Sequence, residues 1–168
     1  MKKSLVVAAF AALAVLACGK GQDGNNNNQG SDPQLTGSWV SQGADVAPLL
    51  AGNPFNYTKI AATFNANGTY IVDATDKNNT TTRLEGTYTS TASTVTGIRD
   101  IVLNQTVPST LTSTGIYQID PATARMNYEV VQTQPPIQNV TPPTAAGGIG
   151  STSNGAFGTS NVQKYQKQ

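Results

Sequence analysis

Histidine is missing from this 168-residue chain, and cysteine occurs once, at Cys18. Without an imidazole, Ser-His-Asp and Cys-His schemes and histidine-based proton transfer are excluded. A single cysteine forbids an intrachain disulfide, so stability rests on an apolar core and backbone pairing. Zinc loses both of its preferred ligand types if that one thiol is otherwise used. Charge is scarce too: Asp, Glu, Lys and Arg make up 11% of the residues and form no basic tract, which argues against a nucleic-acid partner. The carboxylates of Asp45, Asp73, Asp76, Glu85, Asp100, Asp120 and Glu129 are scattered singly at polar strand positions or turns. Asp73 and Asp76 bracket part of DATDKNN, which lacks the alternating oxygen ligands and the glycine of a calcium loop and reads as a solvated turn. The expectation is a protein without catalytic residues, cofactor or metal.

Long apolar runs are absent after the first stretch. That stretch, Leu5 to Ala17 behind Lys2 and Lys3, has the layout of a secretory leader. It is shorter than the roughly 20 apolar residues a spanning helix needs and lacks a second basic flank, so it reads as removable. Val15, Leu16, Ala17 and Cys18 together resemble a bacterial lipobox, in which the leader is cut before the cysteine and the cysteine receives diacylglycerol. The resemblance implies a leader over 1–17, lipidation at Cys18, and a membrane partner held through that lipid. The alternative is an ordinary secretory leader with an incidental cysteine, but a lone thiol in a secreted protein needs a use. Residue 19 is Gly rather than Asp, so analogy with lipoprotein sorting favours the outer membrane in a Gram-negative cell. Loss of 17 residues would leave 151, a length that suits one domain, and loss of Lys2 and Lys3 would leave eight basic against nine acidic side chains.

Composition then divides the remainder. Residues 18–34 contain almost no apolar side chain after Cys18 and read as a flexible tether. From Leu35 to about Gln132 the chain is rich in Thr, Val, Ile and Tyr with Gly and Asn punctuation, which favours strands over helices. Residues 133–160 carry two Pro-Pro pairs followed by Gly and Ser, a long loop whose plainest reading is a disordered excursion between the last two strands. NVQKYQKQ at the end regains alternation and reads as a closing strand.

Alternation and turn chemistry agree best in TKIAATFNANGTYIVDAT, residues 58–75. Ile60, Ala62 and Phe64 share one face, and Tyr70, Val72 and Ala74 share one face of the next strand. Asn67-Gly68 between them tolerates the positive φ of a tight hairpin. Leu84, Gly86 and Tyr88 alternate with Arg83, Glu85 and Thr87. Further strands are read at 98–107, 113–119 and 125–132, the last placing Met126, Tyr128 and Val130 opposite Asn127, Glu129 and Val131. With the segment 37–43 and the terminal one, about eight short strands result. A small antiparallel up-and-down β-barrel over 35–168 is the economical way to remove their edges.

LTGSWVSQG at 35–43 resembles the Gly-x-Trp opening of the first strand in lipocalins and related calycin-like barrels. FNANGTYIV at 64–72 and LEGTYTS at 84–90 are similar to hairpins of the small lipocalin-like domains of bacterial lipoproteins. The resemblance implies that Gly37 allows a close pass and that Trp39 plugs the narrow end of the barrel. It also implies a basic residue over that ring, a place left to Lys164 or Lys167 where the family typically has Arg. The bland alternative for Trp39 is a buried aromatic near a strand start. Candidate interior residues are Phe64, Tyr70, Val72, Leu84, Tyr88, Tyr117, Met126 and Tyr128, which in an open barrel would hold a small apolar or amphipathic molecule. If they fill the barrel instead, the protein is a structural or protein-interaction lipoprotein, for example a periplasmic inhibitor, with 133–160 the one segment long enough to serve as an inhibitory loop.

Overall fold

The computed structural model describes residues 32–168. Eight antiparallel strands follow one another around a closed barrel: β1 (Gly37–Gln42), β2 (Tyr57–Phe64), β3 (Thr69–Asp76), β4 (Thr81–Ala92), β5 (Ile98–Val107), β6 (Leu111–Asp120), β7 (Arg125–Gln134) and β8 (Gln163–Lys167). Closure comes from β1 and β8, where Trp39 pairs with Lys167 and Val40 with Gln166. The fold is therefore an all-β, eight-stranded up-and-down barrel, as the alternation predicts. A helix of one turn, α1 (Pro48–Ala51), interrupts the β1–β2 connection.

Register places the expected apolar faces inside. Ile60 pairs with Ala74, Ala62 with Val72 and Phe64 with Tyr70, and Val72 then pairs with Leu84. Because side chains alternate along a strand, this single register carries all three rows inward together. The β2–β3 turn differs from a two-residue hairpin. It spans 65–68, only Gly68 takes positive φ, and the Asn67 side chain accepts hydrogen bonds from the Thr69 backbone N–H and hydroxyl. On β6, Gly115 faces inward where a Cβ would lie 2.0 Å from the Glu129 carbonyl oxygen, so glycine lets β7 approach closely enough for the wall to bend.

Two boundaries move from their expected places. Residues 32–34, expected to lie in the tether, belong to the fold, because Asp32 is buried; the rest of the expected tether lies outside the described residues. The Asp32 carbonyl accepts the N–H groups of Leu35 and Thr36, both at 3.0 Å, and its carboxylate accepts Gln34 N–H at 3.0 Å and the Tyr117 hydroxyl at 2.8 Å. Composition gives no warning of this, since a polar residue can be buried once its hydrogen bonds are supplied. Cys18 and the leader lie outside the described residues.

The loop expected over 133–160 occupies 135–162, since β7 continues to Gln134. It is built into the fold rather than an excursion, lying on the outer face of the β6–β7 hairpin. Glu129, on the outward side of β7 and expected at a polar position, is fully buried there. Its carboxylate accepts Gly150 N–H at 2.6 Å, Thr152 N–H at 3.0 Å and the Thr152 hydroxyl. Asn161 donates to the Val130 carbonyl at 3.2 Å and to the Thr152 hydroxyl at 3.0 Å. Outward-facing Ile116 and Val131 are buried beside them, giving the wall a second, smaller apolar layer.

Candidate functional site

One end of the barrel is shut by side chains. Trp39 is fully buried, and its indole N–H donates to the Leu35 carbonyl at 2.7 Å. Lys167, of the two lysines considered, covers the ring: its ammonium lies 5.1 Å from the centroid and donates to the Gln34 carbonyl at 2.8 Å. Gly37 has φ of 123°, and a Cβ there would press on Lys167 Cε at 3.2 Å, so the cation reaches the ring only past a glycine. Nearby, Tyr117 donates to Asp32, lies 2.6 Å from the Ser90 hydroxyl and accepts from Arg99 Nε at 3.0 Å. Arg99 pairs with the Asp32 carboxylate at 3.2 Å.

The other end is hollow. A cavity of ≈ 330 Å³ lies between the filled half and the connections 43–56 and 135–162. Phe64, Tyr70, Val72, Leu84 and Tyr128 of the expected interior set line it. Tyr88, Tyr117 and Met126 do not. They are buried in the filled half, where Tyr88 packs edge-on against Phe64 with centroids 5.1 Å apart and donates to the Asn65 carbonyl at 3.0 Å. Alternation correctly turns all eight inward, but depth along the axis depends on where each strand starts relative to its neighbours, which no single strand reveals.

The sequence reading missed part of the lining. Leu50 of α1 and Phe55 reach the cavity from the β1–β2 connection, Tyr165 and Gln163 come from β8, and Gln105, Ser113 and Gln132 supply its polar spots. Phe55 stacks on Tyr57 at 5.7 Å, forming part of the mouth. The four exposed large apolar side chains among the described residues, Leu49, Phe55, Val107 and Ile137, all sit on elements or connections at this end. Burial pushes the Tyr70 phenol up to about 12 and raises those of Tyr117, Tyr128 and Tyr165 as well, so these four are neutral donors at ordinary pH.

No known family, curated protein or solved structure matches this chain.

Four carboxylates make hydrogen bonds or ion pairs with named partners. Asp73 takes a two-point contact from Arg83 at 2.8 and 2.9 Å, whose hydrogen bonds and charge hold its carboxyl below the usual range. Asp45 pairs with Arg125 at 2.8 Å. Asp76 accepts the N–H groups of Asn78 and Thr80, both at 2.8 Å, in the turn expected from DATDKNN. Asp120 closes the β6–β7 turn, where the Thr123 hydroxyl and Ala122 N–H lower its pKa. Among the described residues no group of three or more Asp, Glu, His or Cys is placed to hold a metal ion, and no helix is long and apolar enough to cross a membrane.

Proposed function

We propose that the protein is a lipocalin-like, lipid-anchored envelope protein that binds a small apolar or amphipathic molecule inside its barrel and catalyses no reaction. The observation that carries this reading is the cavity of ≈ 330 Å³, walled by aromatic and aliphatic side chains at one end and shut by Trp39 and Lys167 at the other. A volume of that order falls at the lower end of small-molecule sites, which run from about 300 to 1,000 Å³. An interaction lipoprotein has no use for an unfilled apolar interior, whose walls forgo packing contacts. The plug built from Gly37, Trp39 and a cation on the last strand supports the lipocalin-like kinship, with Lys167 in place of the family's usual Arg.

Asp32 lies at the shut end, beside Tyr117 and Arg99. A chain held by lipid at Cys18 therefore meets its tether at the end opposite the cavity mouth. Mass spectrometry of the mature N-terminus tests the anchor: acylation on Cys18 supports it, and a free thiol or a different start refutes it.

Binding is tested with an environment-sensitive apolar dye and with thermal melting. At 100 times Kd a ligand adds about 2.7 kcal/mol of stability, a shift of several degrees for a domain of this size. Leu84 faces the cavity across from Val72, so Leu84→Trp places an indole in the void. Wild type should bind and be stabilised, and Leu84→Trp should fold but do neither. Absence of binding across a broad apolar panel, or equal binding by both proteins, would refute the interior site.

A further inference from the structure

Gln163 is an anomaly within the cavity wall. It stands on the inner face of β8 opposite Tyr128, and only 4% of it is exposed. Its Oε1 accepts the Ala47 backbone N–H at 2.8 Å, which fixes the orientation of the amide because a backbone N–H requires an oxygen there. Nε2 is then the free end, and it has no hydrogen-bond partner among the described residues. A buried donor left unpaired is costly and uncommon, and here it belongs to a residue that lines a void. The hydroxyls of Tyr70, Tyr128 and Tyr165, on residues lining the same cavity, make no hydrogen bond among the described residues and are held protonated by burial. All four groups can donate.

Charge is the second observation. Among the described residues no Asp, Glu, Lys or Arg lines this cavity. An ionised ligand group would lose its hydration with no counter-ion to meet it, a far larger penalty than a neutral hydrogen bond can offset. A pure hydrocarbon would fit the walls and leave the Gln163 donor unpaired. At about 30 Å³ for each water-sized group, the volume admits a ligand of roughly ten such groups.

On the reading that the cavity binds a ligand, we infer that this ligand is an uncharged amphiphile of medium chain length. Its single acceptor oxygen, a carbonyl of an ester, ketone or amide, receives the Gln163 Nε2–H. The hydrocarbon part lies along Leu84, Val72 and Phe64 in the barrel axis. Gln163 thereby links ligand to fold: its amide holds the start of α1 through Ala47 with one atom and the ligand carbonyl with the other.

The test compares methyl decanoate, decane and the decanoate anion at mildly alkaline pH, by dye displacement from the full mature protein. Methyl decanoate should bind about tenfold more tightly than decane, the value of one neutral hydrogen bond, and decanoate at least tenfold more weakly than the ester. In Gln163→Leu the ester should fall to the affinity of decane while decane itself is retained, which also reports that the cavity survives. Equal binding of ester and decane by wild type, or an ester preference that persists in Gln163→Leu, would overturn the role of Gln163. Decanoate binding as tightly as the ester would overturn the neutral-ligand assignment. Should Gln163→Leu fail to fold, Gln163→Met, which also lacks the amide donor, is measured in its place with the same two outcomes. If none of the three binds, the binding reading itself falls, an outcome distinct from the others.

Discussion

Glu129 offers the sharpest test of how this barrel is assembled. Its carboxylate is fully buried on the outer face of β7 and accepts hydrogen bonds from Gly150 N–H, Thr152 N–H and the Thr152 hydroxyl. Hydrogen bonds to an ionised group contribute about 1.5 to 3 kcal/mol each, so three give roughly 4 to 9 gross. Desolvating the carboxylate offsets several kcal/mol of this. Glu129→Ala removes the acceptor and leaves the two Thr152 donors buried and the Gly150 N–H half-buried, and the expected loss is about 3 to 5 kcal/mol. Glu129→Gln keeps one oxygen, which can serve Thr152, but turns an amide N–H toward the Gly150 N–H. About 1 to 3 kcal/mol should be lost there. Urea unfolding measures the totals, and native-state amide exchange at Gly150 and Thr152 shows whether the loss is local. Both amides should exchange faster in Glu129→Ala well before the strand amides do, because the segment 135–162 would detach from the wall first. A loss under about 1 kcal/mol with unchanged exchange would mean that the carboxylate does not hold this segment, and the account would be wrong.

Two more outcomes follow from buried polar groups. A chain begun at Leu35 lacks the Asp32 carboxylate and carbonyl, so Tyr117 and Arg99 lose their charged partner and keep only each other and the Ser90 hydroxyl, and it should be about 1 to 3 kcal/mol less stable than one that keeps residue 32; matching urea midpoints would contradict this. Above pH about 10 an unfolded chain releases its phenolic protons while Tyr70, Tyr117, Tyr128 and Tyr165 keep theirs in the fold. Their contribution is therefore fully present below pH about 10 and falls by about 1.4 kcal/mol per unit for each tyrosine until its folded pKa is passed. Stability should therefore fall as pH rises past about 10, with Tyr70 adding to the fall only up to about pH 12. Tyrosinate absorbance should rise together with loss of the β circular-dichroism signal; ordinary ionisation of these tyrosines in an intact barrel would refute their burial.

Much of the barrel is legible because it is written in local terms. The strand over Ile98–Val107 is found at both ends from its apolar pattern and bounding turns, and the faces of Ile60, Tyr70 and Leu84 follow from a period of two. The plug is legible as well, down to a choice between two lysines that the β1–β8 register resolves in favour of Lys167. Asp32 and Glu129 are not legible. Each looks like a solvated acid in a polar context, and each is buried by partners 85 and 21 to 23 residues away in sequence. The Pro/Gly segment misleads for a related reason: its own side chains cannot build a core, but its backbone N–H groups can be donors to a carboxylate on another element.

Sequence alone determined the fold class, the strand order and which side chains turn inward, because alternation and turn chemistry act between neighbours along the chain. Only the tertiary structure decided how deep each inward residue sits, and hence that Tyr128 lines a cavity while Tyr88 and Met126 pack the filled half. Depth depends on the stagger of eight strands around a closed circuit, a property of the whole ring that no segment carries. The same holds for Gln163, whose amide is committed to Ala47 at one atom and left unpaired at the other only because β8 closes against a connection 116 residues earlier.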